Sequence, residues 1–103
     1  MTYVFDIDGT ICTCDDGDYE NSKPIWSRID KINNLYSEGH TIHFLTARGM
    51  GRSENESPQL FEDLTQQQLK EWGISYHELF MGKPAGDFYI DDKCIKDEQF
   101  FGN

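Results

Sequence analysis

At 103 residues the chain has the size of one domain, and 37% hydrophobic with 14% aromatic residues is enough to build a core, which excludes a disordered polypeptide. Nine Lys and Arg against nineteen Asp and Glu leave a formal charge of −10, which repels polyanions and disfavours nucleic acid as a partner. No apolar run could cross a bilayer, and Asp6 and Asp8 interrupt the N-terminal apolar stretch, so the expectation is one cytoplasmic soluble domain over residues 1–103, with no membrane partner.

Thr2 to Ile7 reads as a buried strand, because Tyr3, Val4, Phe5 and Ile7 are strand formers and only Asp6 breaks the run. Turn residues follow from Gly9 to Ser22, and Asp16-Gly17 between Ile11-Cys12-Thr13 and Tyr19 suggests a small hairpin. Cys12, Cys14 and Cys94 form an odd set without Cys-x-x-Cys spacing, and are expected as reduced thiols.

A helix is expected from Pro24, with Ser22 as its cap; Ile25, Ile29, Ile32 and Tyr36 form one apolar stripe, and Gly39 stops it. Thr41 to Thr46 is a second strand. The loop from Ala47 to Ser57 is polar and carries Arg48 and Arg52, and a second helix starts at Ser57-Pro58, with Phe61, Leu64, Leu69 and Trp72 on one side. A third strand lies within Ile74 to Met81. Asp87 to Asp91, centred on Phe88-Tyr89-Ile90, is expected as a fourth. This alternation predicts an α/β domain with a parallel sheet of about four strands and right-handed crossovers, whose ligands bind beyond the strand ends.

Polar residues stand at each of those ends. Asp6 closes the first strand with Asp8 two residues on, Thr46 closes the second, Lys83 follows the third, and Asp91-Asp92 close the fourth. Each is unremarkable alone, but together they suit binding and attacking a phosphate. An acid between Phe5 and Ile7 is costly to bury without a task.

These residues resemble the motifs of the haloacid dehalogenase (HAD) superfamily of phosphatases. Asp6-Ile7-Asp8-Gly9-Thr10 looks like its first motif. Thr46 in Phe44-Leu45-Thr46-Ala47-Arg48 is similar to the second, Gly82-Lys83-Pro84 to the third and Tyr89-Ile90-Asp91-Asp92 to the fourth. The resemblance implies a three-layer, Rossmann-like HAD fold. It also implies a Mg²⁺-dependent phosphomonoester hydrolase in which Asp6 forms an aspartyl-phosphate. Asp8 would serve as general acid and base, with Thr46 and Lys83 holding the phosphate. Mg²⁺ would be held by Asp6, the main-chain carbonyl of Asp8, and Asp91, with Asp92 a direct or indirect partner. Arg48 is a candidate to grip a second anionic group of the substrate.

Between Thr10 and Thr46, and between Thr46 and Lys83, the gaps are too short for a folded lid, so the chain is expected to be capless. The acidic stretch Asp15 to Glu20 would overhang the site. A small phosphorylated metabolite, such as a sugar phosphate, is the expected substrate, and self-association is a way to cover exposed strand edges. Two alternatives stay open: a nucleic-acid 3′-end or phosphoprotein phosphatase, and a signalling or binding module that is phosphorylated on Asp without turnover.

Overall fold

The computed structural model describes residues 1–15, 17–50 and 58–102. Strands β1 (Thr2–Phe5), β2 (Thr41–Thr46) and β3 (Glu78–Met81) form one parallel sheet in the order β1-β2-β3. Phe5 stands beside Phe44, and Thr46 beside Met81, so β2 is central and its end lies level with the end of β3.

Helix α1 (Trp26–Ser37) joins β1 to β2, and α2 (Pro58–Glu71) joins β2 to β3. Two right-handed crossovers advancing in the same direction across a sheet place both helices on the same face. Burial agrees with this. Along β2, Ile42, Phe44 and Thr46 are fully buried, while Thr41, His43 and Leu45 between them are only partly covered. A single core joins Phe5, Ile42 and Phe44 to Ile29 and Ile32 of α1 and Leu69 of α2. Among the described residues no helix covers the opposite face. Val4 is 59% exposed, and Phe80, edge-on to His43, is 46% exposed. Three layers were expected; the described residues form two.

The first helix follows its stripe, since Ile29 and Ile32 are buried four and seven residues after Ile25. It begins at Trp26 rather than Pro24. Ile25 precedes it without a capping side chain, and Ser22 instead closes a 3₁₀ turn, Tyr19–Asn21. Gly39 lies past its end at a φ of 96°, which L side chains rarely adopt.

Two expectations change. Ile11 to Thr13 do not pair with Tyr19; the Thr13 N–H donates to the Lys23 carbonyl (2.9 Å) and the Ile25 N–H to that of Ile11 (2.8 Å). Asp16, of the expected turn, lies outside the described residues. Nor is there a fourth strand among the described residues. Phe88 and Ile90 are 85% and 96% exposed, in irregular chain. The Tyr89 hydroxyl donates to the Pro84 carbonyl (2.8 Å) and accepts from the Gly86 N–H (3.1 Å), which closes a loop where a ladder was expected. The chain then returns to the helical face. There α3 (Asp97–Phe101) packs Phe100 on Tyr3 and Phe5, and Arg28 pairs with Asp97 at 2.6 Å.

Candidate active site

The site grows from the turn after β1. N–H groups of Thr10 and Ile11 both donate to the Ile7 carbonyl, and that of Gly9 donates to the Cys12 carbonyl (2.8 Å). Gly9 turns at a φ of 81°. This tight turn holds Asp6 and Asp8 side by side beyond the sheet.

Asp6 faces a cation and a hydroxyl. Lys83 Nζ lies 3.5 Å from one carboxylate oxygen, and Thr10 Oγ1 donates to the other at 3.2 Å. Burial pushes the Asp6 pKa up; Lys83, the Ile7 N–H and Thr10 pull the other way without cancelling it. Lys83 is anchored at both ends. Its N–H donates to the Thr46 carbonyl (3.0 Å), and its ammonium sits 4.1 Å above the Tyr89 ring.

Asp8 is held differently. Arg48 grips it with a fork, Nε to Oδ2 at 2.9 Å and Nη2 to Oδ1 at 2.8 Å. The remaining guanidinium nitrogen donates to Gln68 Oε1 (2.6 Å) and Thr65 Oγ1 (3.1 Å) of α2. Tyr19 lies over the guanidinium at 4.8 Å, fixed by a bond from Gln68 to its carbonyl. Burial alone would favour a neutral guanidinium, but the bonds and charge of Asp8 outweigh it, so the Arg48 pKa is raised. Arg48 was expected to reach outward for substrate; it is instead 1% exposed and spent on Asp8. Thr46 is fully buried, and its hydroxyl accepts from the Arg48 N–H at 3.1 Å.

A cleft of about 290 Å³ opens over these groups, with Asp6, Asp8, Tyr19, Lys83 and Tyr89 among its walls. Gly17 and Tyr19 of the stretch expected to overhang the site are among its walls, whereas Asp15, Asp18 and Glu20 are not. Asp91 and Asp92 stay outside. Both are exposed, and Asp91 accepts from the Lys93 N–H (3.1 Å), the main reason that its pKa is lowered. Among the described residues, no three acid, His or Cys side chains converge as a metal site. Cys12, Cys14 and Cys94 are free thiols. Arg52 lies outside the described residues.

Sequence reasoning missed Thr65, Gln68 and Tyr19. A signal was present, since Thr65 and Gln68 fall at i+4 and i+7 from Phe61, on the side that carries Leu69, where a purely surface helix would place apolar residues.

No family model and no curated protein matches the chain. Its fold is similar to that of a Vibrio cholerae protein. That crystal structure superposes with a TM-score of 0.86 at 26% identity, over 99% of this chain and 88% of the other. A chain in the structure of a Pnkp1/Rnl/Hen1 complex matches at 0.60 and 19% identity, over 96% of this chain but 33% of that one, a likeness of fold alone.

Proposed function

We propose that the chain is a phosphomonoester hydrolase of the HAD type, working on a small phosphorylated metabolite through an aspartyl-phosphate on Asp6. The observation that carries this reading is Asp6 facing Lys83 at 3.5 Å at the mouth of a cleft of about 290 Å³. A carboxylate beside a fixed ammonium is a nucleophile with its anionic target's charge already countered. The cleft's size suits a phosphate carrying a small organic group. The net charge of −10 weighs against a polynucleotide.

In the first step Asp6 attacks phosphorus, the bond to the leaving oxygen breaks, and Asp8 gives that oxygen a proton. In the second, Asp8 takes a proton from the water that attacks phosphorus, releasing phosphate and restoring Asp6. The Arg48 fork holds both carboxylate oxygens of Asp8 in a fixed direction beside Asp6. Lys83, in the cleft wall, would hold the phosphoryl oxygens; Thr46, expected to share that task, is fully buried behind the wall and accepts from the Arg48 N–H.

Oxygen donors at Asp6 and at the Asp8 main chain fit Mg²⁺, which would offset the charge gathered around a bound phosphate. Among the described residues no further carboxylate joins them, since Arg48 occupies both oxygens of Asp8 and Asp91 and Asp92 stay outside the cleft. The test is Mg²⁺-dependent phosphate release across a panel of phosphomonoesters by wild type, Asp6→Asn and Asp8→Asn. Loss of turnover in both variants is expected, with phospho-enzyme accumulating in Asp8→Asn. No release by wild type from any ester, or full activity in Asp6→Asn, would overturn the reading.

A further inference from the structure

We propose that the cleft selects a phosphomonoester with one phosphate and an uncharged organic group that offers a flat apolar ring to Tyr19 and Tyr89. That the ester is cleaved rests on the proposed function; the recognition of its ring does not. Charge sets the first limit. Among the described residues Lys83 is the one cation in the cleft wall, and it faces Asp6, where a phosphate would be attacked. Arg48, the expected partner of a second anionic group, is buried, with its guanidinium bonded to Asp8, Thr65 and Gln68. A second phosphate or a carboxylate on the substrate would therefore lie near Asp6 and Asp8 with no further cation from the described residues to answer it, and like charges at close range repel.

The rest of the wall sets the second limit. Beyond the two acids and Lys83 it is made of Tyr19, Tyr89, Met50, Cys14, two alanines and a glycine. Each ring stands beside one of the carboxylates, against the cation with which that carboxylate pairs: Tyr19 on Arg48 at 4.8 Å and Tyr89 on Lys83 at 4.1 Å. Both rings are fixed before a ligand arrives. Tyr19 packs edge-on to Phe61 (5.0 Å), and its carbonyl accepts the bond from Gln68. The Tyr89 hydroxyl is engaged twice, by the Pro84 carbonyl and the Gly86 N–H.

Such walls favour a ring over a polyol. Each sugar hydroxyl that enters gives up water, while the Tyr89 hydroxyl and both Asp8 oxygens already have partners, so few bonds replace those lost. A flat apolar group needs none of them. It gains contact with two aromatic side chains and a thioether, and rings already held in place lose little freedom on binding. The expected sugar phosphate thus gives way to the phosphate ester of an alcohol that carries an aromatic ring.

The test compares esters of primary alcohols, whose leaving ability is similar: phenethyl phosphate, its para-carboxylate and glucose 6-phosphate, each with the full chain and Mg²⁺. The expected kcat/KM for phenethyl phosphate is about tenfold or more above that for the other two. Equal or faster release from glucose 6-phosphate or from the para-carboxylate overturns the substrate class and leaves the hydrolase reading standing. Tyr19→Leu and Tyr89→Leu keep apolar bulk without the ring. Each is expected to cut the ratio of kcat/KM between phenethyl phosphate and glucose 6-phosphate about threefold or more, through KM for the former. A ratio that does not change, whatever the overall loss, means that the rings only support Arg48 and Lys83, and overturns the proposal. Calorimetry with phenylpropylphosphonate, which cannot be hydrolysed, gives a readout apart from turnover. It should bind wild type about tenfold tighter than inorganic phosphate does, and equal affinity overturns the ring recognition. Tight phosphonate binding while no ester is cleaved counts against the hydrolase reading alone.

Discussion

Asp6 pays in stability for its position. Its pKa is raised by burial, so the folded state binds its proton more tightly than the unfolded chain does. Stability then falls as pH rises from the ordinary value of 3.8 through the raised one, and the cost is fully present at pH 7. Asp6→Asn is therefore expected to melt higher than wild type at pH 7 in the presence of chelator, by on the order of a few degrees. Near pH 3 the two should converge. Thermal melts at both values check the sign; an Asn variant that melts lower at pH 7 would show that Lys83 and Thr10 outweigh burial. Thiols give a second residue-scale readout. Cys12 is fully buried and beside Asp8, which together push it up to about 12, whereas Cys94 is exposed. Iodoacetamide at pH 8 followed by peptide mapping should label Cys94 readily and leave Cys12 unlabelled until the chain is denatured.

Between elements, Arg48 ties the end of β2 to α2 and to the turn after β1. Because its guanidinium is buried, removing one acceptor leaves an N–H unsatisfied. Gln68→Ala is expected to cost about 1–3 kcal/mol by urea unfolding. Arg48→Lys cannot reproduce the fork to Asp8, so it should lose stability and, on the proposed mechanism, turnover together. A Gln68→Ala variant as stable as wild type would mean that water replaces the lost acceptor. These contacts also mark where the sequence stops being readable. The alternation in Thr41–Thr46 and the stripe of Ile29 and Ile32 locate β2 and α1, because burial against the chain's own core dictates both. Asp6, Thr46 and Lys83 could be gathered from sequence, since each follows a strand and a parallel sheet brings its strand ends together. Thr65 and Gln68 look like ordinary helix surface until Arg48 folds onto them. Phe88 to Ile90 carry strand character, yet they lie in an exposed loop closed by the Tyr89 hydroxyl, so propensity alone misled there. Likewise, right-handed crossovers were expected, but the monotonic strand order that leaves one face uncovered by the described helices was not.

For the whole molecule, the described residues cover the sheet with helices on one side only. If self-association covers the rest, the midpoint of thermal unfolding should climb with protein concentration, and added salt should favour association by screening the −10 charge of each chain. A midpoint that is flat over a hundredfold dilution would argue for a self-sufficient monomer. The closure of the chain itself depends on Arg28, whose Nη1 donates to the Thr10 carbonyl (3.0 Å) and to Asp97 (2.6 Å). That bond lowers the Asp97 pKa, so its stabilisation is present at neutral pH and fades as acid protonates the carboxylate, opposite in sign to Asp6. Asp97→Asn should accordingly narrow its deficit against wild type as pH falls from 7 to 3, read from the same melts. During synthesis the guanidinium meets Thr10 early, but it has to wait for Asp97 to leave the ribosome before its second bond can form. The turn after Asp6 is thus among the first segments made and among the last to be locked, and a nascent chain stalled before α3 would carry Asp6 without its finished mount.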